Sequence, residues 1–501
     1  MNIKEAKKQI SNTLKAYLSR DELGNYRIPP VRQRPILLLG APGIGKTQIM
    51  EQIASEENVG LVAYTITHHT RQSAMGLPFI EQHTYDEKEY SVTGYTMSEI
   101  IGSVYDLTEK TGIREGILFL DEINCVSETL APMMLQFLQC KTFGNQKLPE
   151  GWLIVAAGNP PEYNRSVREF DVVTLDRVKK ITVEENFAVW KEYAQRKGLH
   201  GAVISYLDLK KENFYRMENT AEGLQFATPR GWEDLSEIIT VYEDLGISVD
   251  LDVVIQYIQM PAIARDFTNY LMLYNKYRKT YHIEEIFRGV WSKTDESEFR
   301  AAPFDEKLSV LGLLFAGIAD SSRKTHRQDT LTAALYGDLI AFRDSGNDGS
   351  PIEQLGSIIE TRREVLKRSS DAGQGDKSMR DLRMKELLKL ETYRERLLAE
   401  GIGEMEEAMC CIRELFQQEK EEIRKLAEET DEKMENAFAF LENSVGSGQE
   451  IVMLATEITA GADTSWFVEQ FGSEAYFRHN KELLFDDTRR KIVEKIVSAS
   501  E

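Results

Sequence analysis

Apolar residues follow two regimes along this chain. Up to about residue 180, short continuous apolar runs alternate with stretches of helical period; beyond it, helical spacing takes over. Ile10, Leu14 and Leu18 recur at helical spacing, and Pro29-Pro30 stops that first helix. Residues 35–39 are a continuous apolar run ending at Gly40, the pattern of a strand buried on both faces of a parallel sheet. After Thr47 the period turns helical through Ile49, Met50 and Ile53. Further buried strands are predicted over 61–67, 116–120 and 152–157, with helical stretches such as 128–139 between them. Strands alternating with helices indicate an α/β domain layered around a parallel sheet. The polar, acidic stretch 80–91 reads as an excursion from the second strand.

From about Ile181 the strand signals fade. Residues 188–196 and 230–245 read as helices of a small domain, and 260–342 also looks helical. Residues 344–351 (DSGNDGSP) form a loop, and 369–378 (SSDAGQGDKS) read as a linker. Beyond it, Met384, Leu387, Leu390, Tyr393 and Leu397 mark one stripe. Ile412, Phe416, Ile423, Leu426, Met434, Phe438 and Leu441 mark another, with Gly401 and Gly403 between the two. Two antiparallel helices follow, either as a coiled-coil arm or as a bundle packed on its own chain. The expected division is an N-terminal helix (1–29), an α/β domain (30–180), a helical lid (181–275), a helical extension (276–368), the linker (369–378) and a charged helical region (379–501).

Composition narrows the setting. With 42% hydrophobic and 29% charged residues the chain fits a soluble globular protein. No apolar run approaches the roughly 18 residues that span a bilayer, and the N-terminus MNIKEAKKQI lacks a signal-peptide core. Cys125, Cys140, Cys410 and Cys411 show neither metal-ligand spacing nor a disulfide framework. A reducing, cytoplasmic location is expected. His68 and His69 are adjacent, so a regular strand cannot turn both towards one site. A net charge of −21 argues against direct work on nucleic acid, whose phosphates repel an acidic surface.

The chemistry begins at Gly40-Ala41-Pro42-Gly43-Ile44-Gly45-Lys46-Thr47, which satisfies G-x-x-x-x-G-K-S/T at every fixed position. Glycines let backbone N–H groups turn inward around phosphates, and the following helix presents its positive end to the same anion. Lys46 is the candidate for the β- and γ-phosphates, Thr47 for Mg²⁺, and Gln48 continues the binding stretch. An apolar strand then delivers Asp121 and Glu122 at its C-terminal end, where α/β folds place ligands. Asp121 is the candidate Mg²⁺ ligand and Glu122 the group that orients and polarises the attacking water. A third strand ends at Gly158-Asn159, whose amide can bond the γ-phosphate or that water. Arg177 and Arg230 are candidates for the fixed positive charge that phosphoryl transfer uses, though spacing alone favours a surface or salt-bridging arginine for either.

GAPGIGKT at 40–47, LFLDEIN at 118–124, AAGNP at 156–160, LDR at 175–177 and TPR at 228–230 together resemble the AAA+ ATPases, specifically their MoxR-like branch. DEIN followed by a helix ending in LQFLQ, and a short hairpin over 142–149, strengthen that likeness. The resemblance covers about residues 30–275 and implies an AAA+ P-loop parallel sheet with a small helical lid, while the long helical C-terminal region is read from helical spacing alone. It implies Walker A at 40–47, Walker B at Asp121 and Glu122, sensor 1 at Asn159 and sensor 2 at Arg230. It implies an arginine finger at Arg177 acting on a neighbouring subunit, with Arg165 and Arg168 as rivals. It further implies ATP with Mg²⁺, a homo-hexameric ring, a protein client and a von Willebrand factor A domain partner. Two features depart from the family: Cys125 stands where relatives commonly carry arginine, and the region beyond about 275 exceeds a minimal member. The alternatives are an AAA+ motor on nucleic acid and a nucleotide-gated scaffold.

Overall fold

The computed structural model describes residues 1–480 apart from 69, 86–87, 144–145, 164–169, 171, 221–222, 345–349 and 375–376. The chain divides into two compact units. The first takes residues 1–186 and 359–387; the second takes 187–358 and the chain from 388 onward.

Along the first unit the strands are β1 (Ile36–Gly40), β2 (Gly60–Thr65), β3 (Pro78–Tyr85), β4 (Lys88–Tyr95), β5 (Gly116–Asp121), β6 (Thr142–Phe143), β7 (Gln146–Lys147), β8 (Trp152–Gly158) and β9 (Lys179–Val183). Five form one sheet in the order β2-β5-β8-β1-β9, parallel at every pairing. The continuous apolar runs of β1, β5 and β8 are what a strand covered on both faces requires. Leu37, Leu118, Leu120, Ile154 and Ala156 pack into a core with Ile101, Phe137 and Trp152. Register then aligns the strand ends: Leu39 lies opposite Gly158, Thr65 opposite Asp121, and Gly40 opposite Val183.

Three expectations change here, and a fourth, the excursion after the second strand, takes a definite form. Lys179–Val183 is a fifth sheet strand and not the start of a helical lid. It sits at the sheet edge and alternates buried with exposed positions, so it carries no continuous apolar run. The 80–91 excursion is part of an antiparallel hairpin, β3 with β4. The helix expected over 128–139 starts later, at Ala131–Cys140, with proline in its first turn. Residues 369–374, expected as linker, are docked chain. Ser369, Ala372 and Gln374 are buried; the Leu61 N–H donates to the Ala372 carbonyl (2.9 Å) and Gln374 Nε2 to the Val59 carbonyl (3.1 Å). Small and polar residues here satisfy the backbone of an edge strand, a use that composition alone does not distinguish from flexibility.

Among its described residues the second unit is helical apart from the hairpin β10 (Arg216–Thr220) with β11 (Gly223–Ala227). Its core is continuous: Trp232 and Phe267 belong to the same cluster as Leu314, Phe438, Leu454 and Phe467. The expected lid, extension and C-terminal region therefore share one interior. The helix Met405–Val445 packs along Phe304–Asp344, where Lys433 Nζ donates to Ser321 Oγ (2.7 Å) and the Thr325 and Thr430 hydroxyls meet at 3.2 Å. That is the packed bundle, not a free coiled-coil arm. Most of the expected 344–351 loop lies outside the described residues. Among the described residues no helix is long and apolar enough to cross a membrane.

Candidate active site

The site is built at the C-terminal ends of β1, β5 and β8. Gly40 closes β1 where no side chain fits: a Cβ there would stand 2.7 Å from the Val183 carbonyl oxygen and 2.8 Å from Ile44 Cδ1. Gly43 and Gly45 take φ of 78° and 90°, the left-handed region open to glycine. Left-handed residues at alternate positions let N–H groups face a common concavity. Ala41 and Ile44 are buried and fix the loop to the domain. The helix Lys46–Glu56 starts directly after Gly45, and no side chain caps its N-terminus, so its first N–H groups are presented to an anion. This cradle fits a nucleotide polyphosphate.

Lys46 is only 8% exposed. Its ammonium donates to the Gly40 and Ala41 carbonyls and to Asn159 Oδ1, each at 2.8 Å. Thr47 Oγ1 donates to Asp121 Oδ2 at 3.1 Å, while Asp121 Oδ1 accepts the Glu122 N–H at 2.9 Å. A hydroxyl beside a carboxylate is the hard-oxygen donor set that Mg²⁺ takes next to a phosphate. Gln48 is exposed in the first turn of the same helix.

Glu122 has φ of 56°, a left-handed conformation that costs a non-glycine residue about 1–3 kcal/mol. The surrounding bonds hold it there: Ile123 N–H donates to the Ala157 carbonyl and Cys125 N–H to the Glu122 carbonyl, both at 2.9 Å. The Glu122 carboxylate accepts from Thr67 Oγ1 at 3.0 Å. Thr67 lies in the short turn Ile66–His68 immediately after β2. A second polar residue enters behind the site. Asn124 is buried at 4% exposure, and its Nδ2 donates to the Asn159 backbone carbonyl at 2.7 Å.

Five expected residues thus meet: Lys46, Thr47, Asp121, Glu122 and Asn159. The two arginines do not join them through any described bond. Arg177 ends the helix Val172–Arg177, is exposed, and donates to the Gln139 carboxamide. Arg230 is exposed in the first turn of Pro229–Asp244, in the second unit, where Thr228 caps the helix by accepting from Gly231 N–H (3.2 Å). Arg165 and Arg168 lie outside the described residues. Thr67 and Asn124 were not singled out by sequence reasoning. Thr67 stands two residues after the end of β2 and Asn124 three after the end of β5, and that closeness to strand ends was the available signal.

Lys141 caps the helix Ala131–Cys140 and is itself left-handed at φ 57°. Burial, with the Lys147 charge adding to it, lowers its ammonium to about 8.

Residues 35–178 match the family model of the AAA domain, dynein-related subfamily. This stretch is similar to an AAA domain. The AAA domain so matched opens one residue before β1 and closes one residue before β9, and all five converging residues lie inside it. Among solved structures, the chain is similar to a RuvB mutant from Thermotoga maritima at 16% identity, over 52% of this chain and 69% of that one, with a TM-score of 0.27. No protein of curated function matches the chain.

Proposed function

We propose that this protein is a cytoplasmic, Mg²⁺-dependent ATP hydrolase of the MoxR-like kind, which assembles as a hexameric ring and remodels protein clients. One observation carries the hydrolase reading. Lys46, Thr47, Asp121 and Asn159 are bonded into one cluster at the phosphate loop, and Glu122 is held in a left-handed turn beside it. In this reading the loop 40–47 and Gln48 bind ATP, with Lys46 on the β- and γ-phosphates. Thr47 and Asp121 hold Mg²⁺, which neutralises phosphate charge when bound. Glu122 orients a water and takes its proton as the water oxygen bonds to the γ-phosphorus. The bond from that phosphorus to the β–γ bridging oxygen breaks, and ADP leaves. Asn159 supports the γ-phosphate or the water.

The finer assignments rest on motif and charge. Arg230 acts as sensor 2, and Arg177 enters a neighbour's site as the arginine finger. LFLDEIN at 118–124 supports the MoxR-like branch, and with it a von Willebrand factor A domain partner. The charge of −21 favours a protein client over a nucleic acid. Glu122→Gln tests the central reading. It is expected to bind ATP as the parent does and to lose hydrolysis by at least ~100-fold, because an amide cannot take the proton. Parent-like turnover by this variant overturns the assignment. A client retained on the ATP-bound variant, and identified directly, tests the remodelling role.

A further inference from the structure

We propose that Asn124 is a positioning residue for hydrolysis, fixing Asn159 relative to the turn that carries Asp121 and Glu122. This rests on the ATPase reading above. The geometry is a short chain of bonds. Asn124 Nδ2 donates to the Asn159 carbonyl (2.7 Å), Asn159 Oδ1 accepts from Lys46 Nζ (2.8 Å), and Lys46 donates onward to Gly40 and Ala41. Asn124 also belongs to the catalytic turn, two residues after Glu122, and the turn is tied to β8 by Ile123 N–H on the Ala157 carbonyl. One buried amide therefore joins Walker B to the sensor strand.

Two further observations separate this from ordinary core polarity. A Cβ on Gly158 would lie 2.5 Å from Asn124 Oδ1 and 2.8 Å from its Cγ, so the amide occupies space that glycine leaves open. Asn124 Oδ1 is buried without a hydrogen-bond partner among the described residues. A buried acceptor left unpaired costs about 1–3 kcal/mol. The fold tolerates that cost for a side chain whose bond from Nδ2 sets the position of Asn159.

The near-isosteric Asn124→Asp keeps the shape and removes the donor. We expect kcat for ATP hydrolysis to fall about 10- to 100-fold, the range that displacement of a reacting group by a fraction of an ångström to an ångström produces. Nucleotide affinity, read by fluorescent ATP binding, is expected to stay within twofold. Asn124→Ser, smaller and neutral, is expected to give the same split and serves if the aspartate variant does not fold. The decisive measurement is the cycle with Asn159→Ala. If Asn124 acts through Asn159, adding Asn124→Asp to Asn159→Ala changes kcat no further. Independent, multiplicative losses, or parent-like kcat in both Asn124 variants, overturn the proposal. Full activity in Asn159→Ala alone overturns the role of Asn159, and with it this proposal, while leaving the ATPase reading, which Glu122→Gln tests, in place.

Discussion

Lys141 carries a charge that its surroundings disfavour. Its ammonium is lowered to about 8, first by burial and then by Lys147. An unfolded lysine titrates near ~10.4. Below about 8 both states are protonated and the folded state bears the full penalty. Between the two values the unfolded chain holds more protons, so the penalty fades as pH rises. Lys141→Met, which keeps the stem and removes the charge, is expected to stabilise the first unit at pH 7 by on the order of 1–3 kcal/mol. Melting temperatures between pH 7 and 10 check this: the advantage must shrink above pH 8, and a constant advantage counts against the cause given. At this scale the sequence was legible where a residue type has one use. Gly40, Gly43, Gly45, Lys46 and Thr47 fit a single purpose at that spacing. Thr67 and Asn124 are common residues, and only the fold brings their polar atoms to Glu122 and Asn159.

Among the elements, β2 is an edge strand whose free side is met by a distant part of the chain. Gly373, left-handed at φ 71°, approaches so closely that a Cβ would lie 2.6 Å from the Leu61 carbonyl oxygen. Gly373→Ala combines left-handed strain with a collision against backbone, and a loss of about 1–3 kcal/mol is expected. Hydrogen exchange at the Leu61 amide, bonded to Ala372, reads the effect locally. Exchange must accelerate there, while amides of the central strand β8 follow only the global change. β1, β5 and β8 were legible because strands buried on both faces write continuous apolar runs. β9 was not, because an edge strand with alternating burial is short of that signal. The segment 369–374 was misread because backbone docking uses the same small and polar residues as a flexible connection.

For the whole molecule, the proposed ring makes the cleanest demand. If Arg177 serves a neighbour's site, Arg177→Ala lowers hydrolysis about 10³-fold or more while nucleotide affinity is kept. Mixed with Lys46→Ala, which cannot hold phosphate, it must recover part of the activity, because some sites then pair an intact loop with an intact arginine. A mixture no more active than its parts rules out action in trans. The helical spacing beyond residue 187 indicated helices but not their partners. An apolar stripe specifies that a face is buried, not which other face buries it, and so the shared core joining Trp232 and Phe267 to Phe438 and Phe467 stayed hidden.

The docking of Ala372 on β2 also sets an order of events during synthesis. The strands of the sheet are complete at Val183, yet the segment that meets the edge of β2 is made roughly 190 residues later. At about 5–20 residues per second the nascent sheet waits on the order of 10–40 s with that backbone uncovered. An uncovered strand edge is a template for pairing with another chain. Slow translation or premature termination between these points should therefore yield aggregation before it yields a folded but inactive protein.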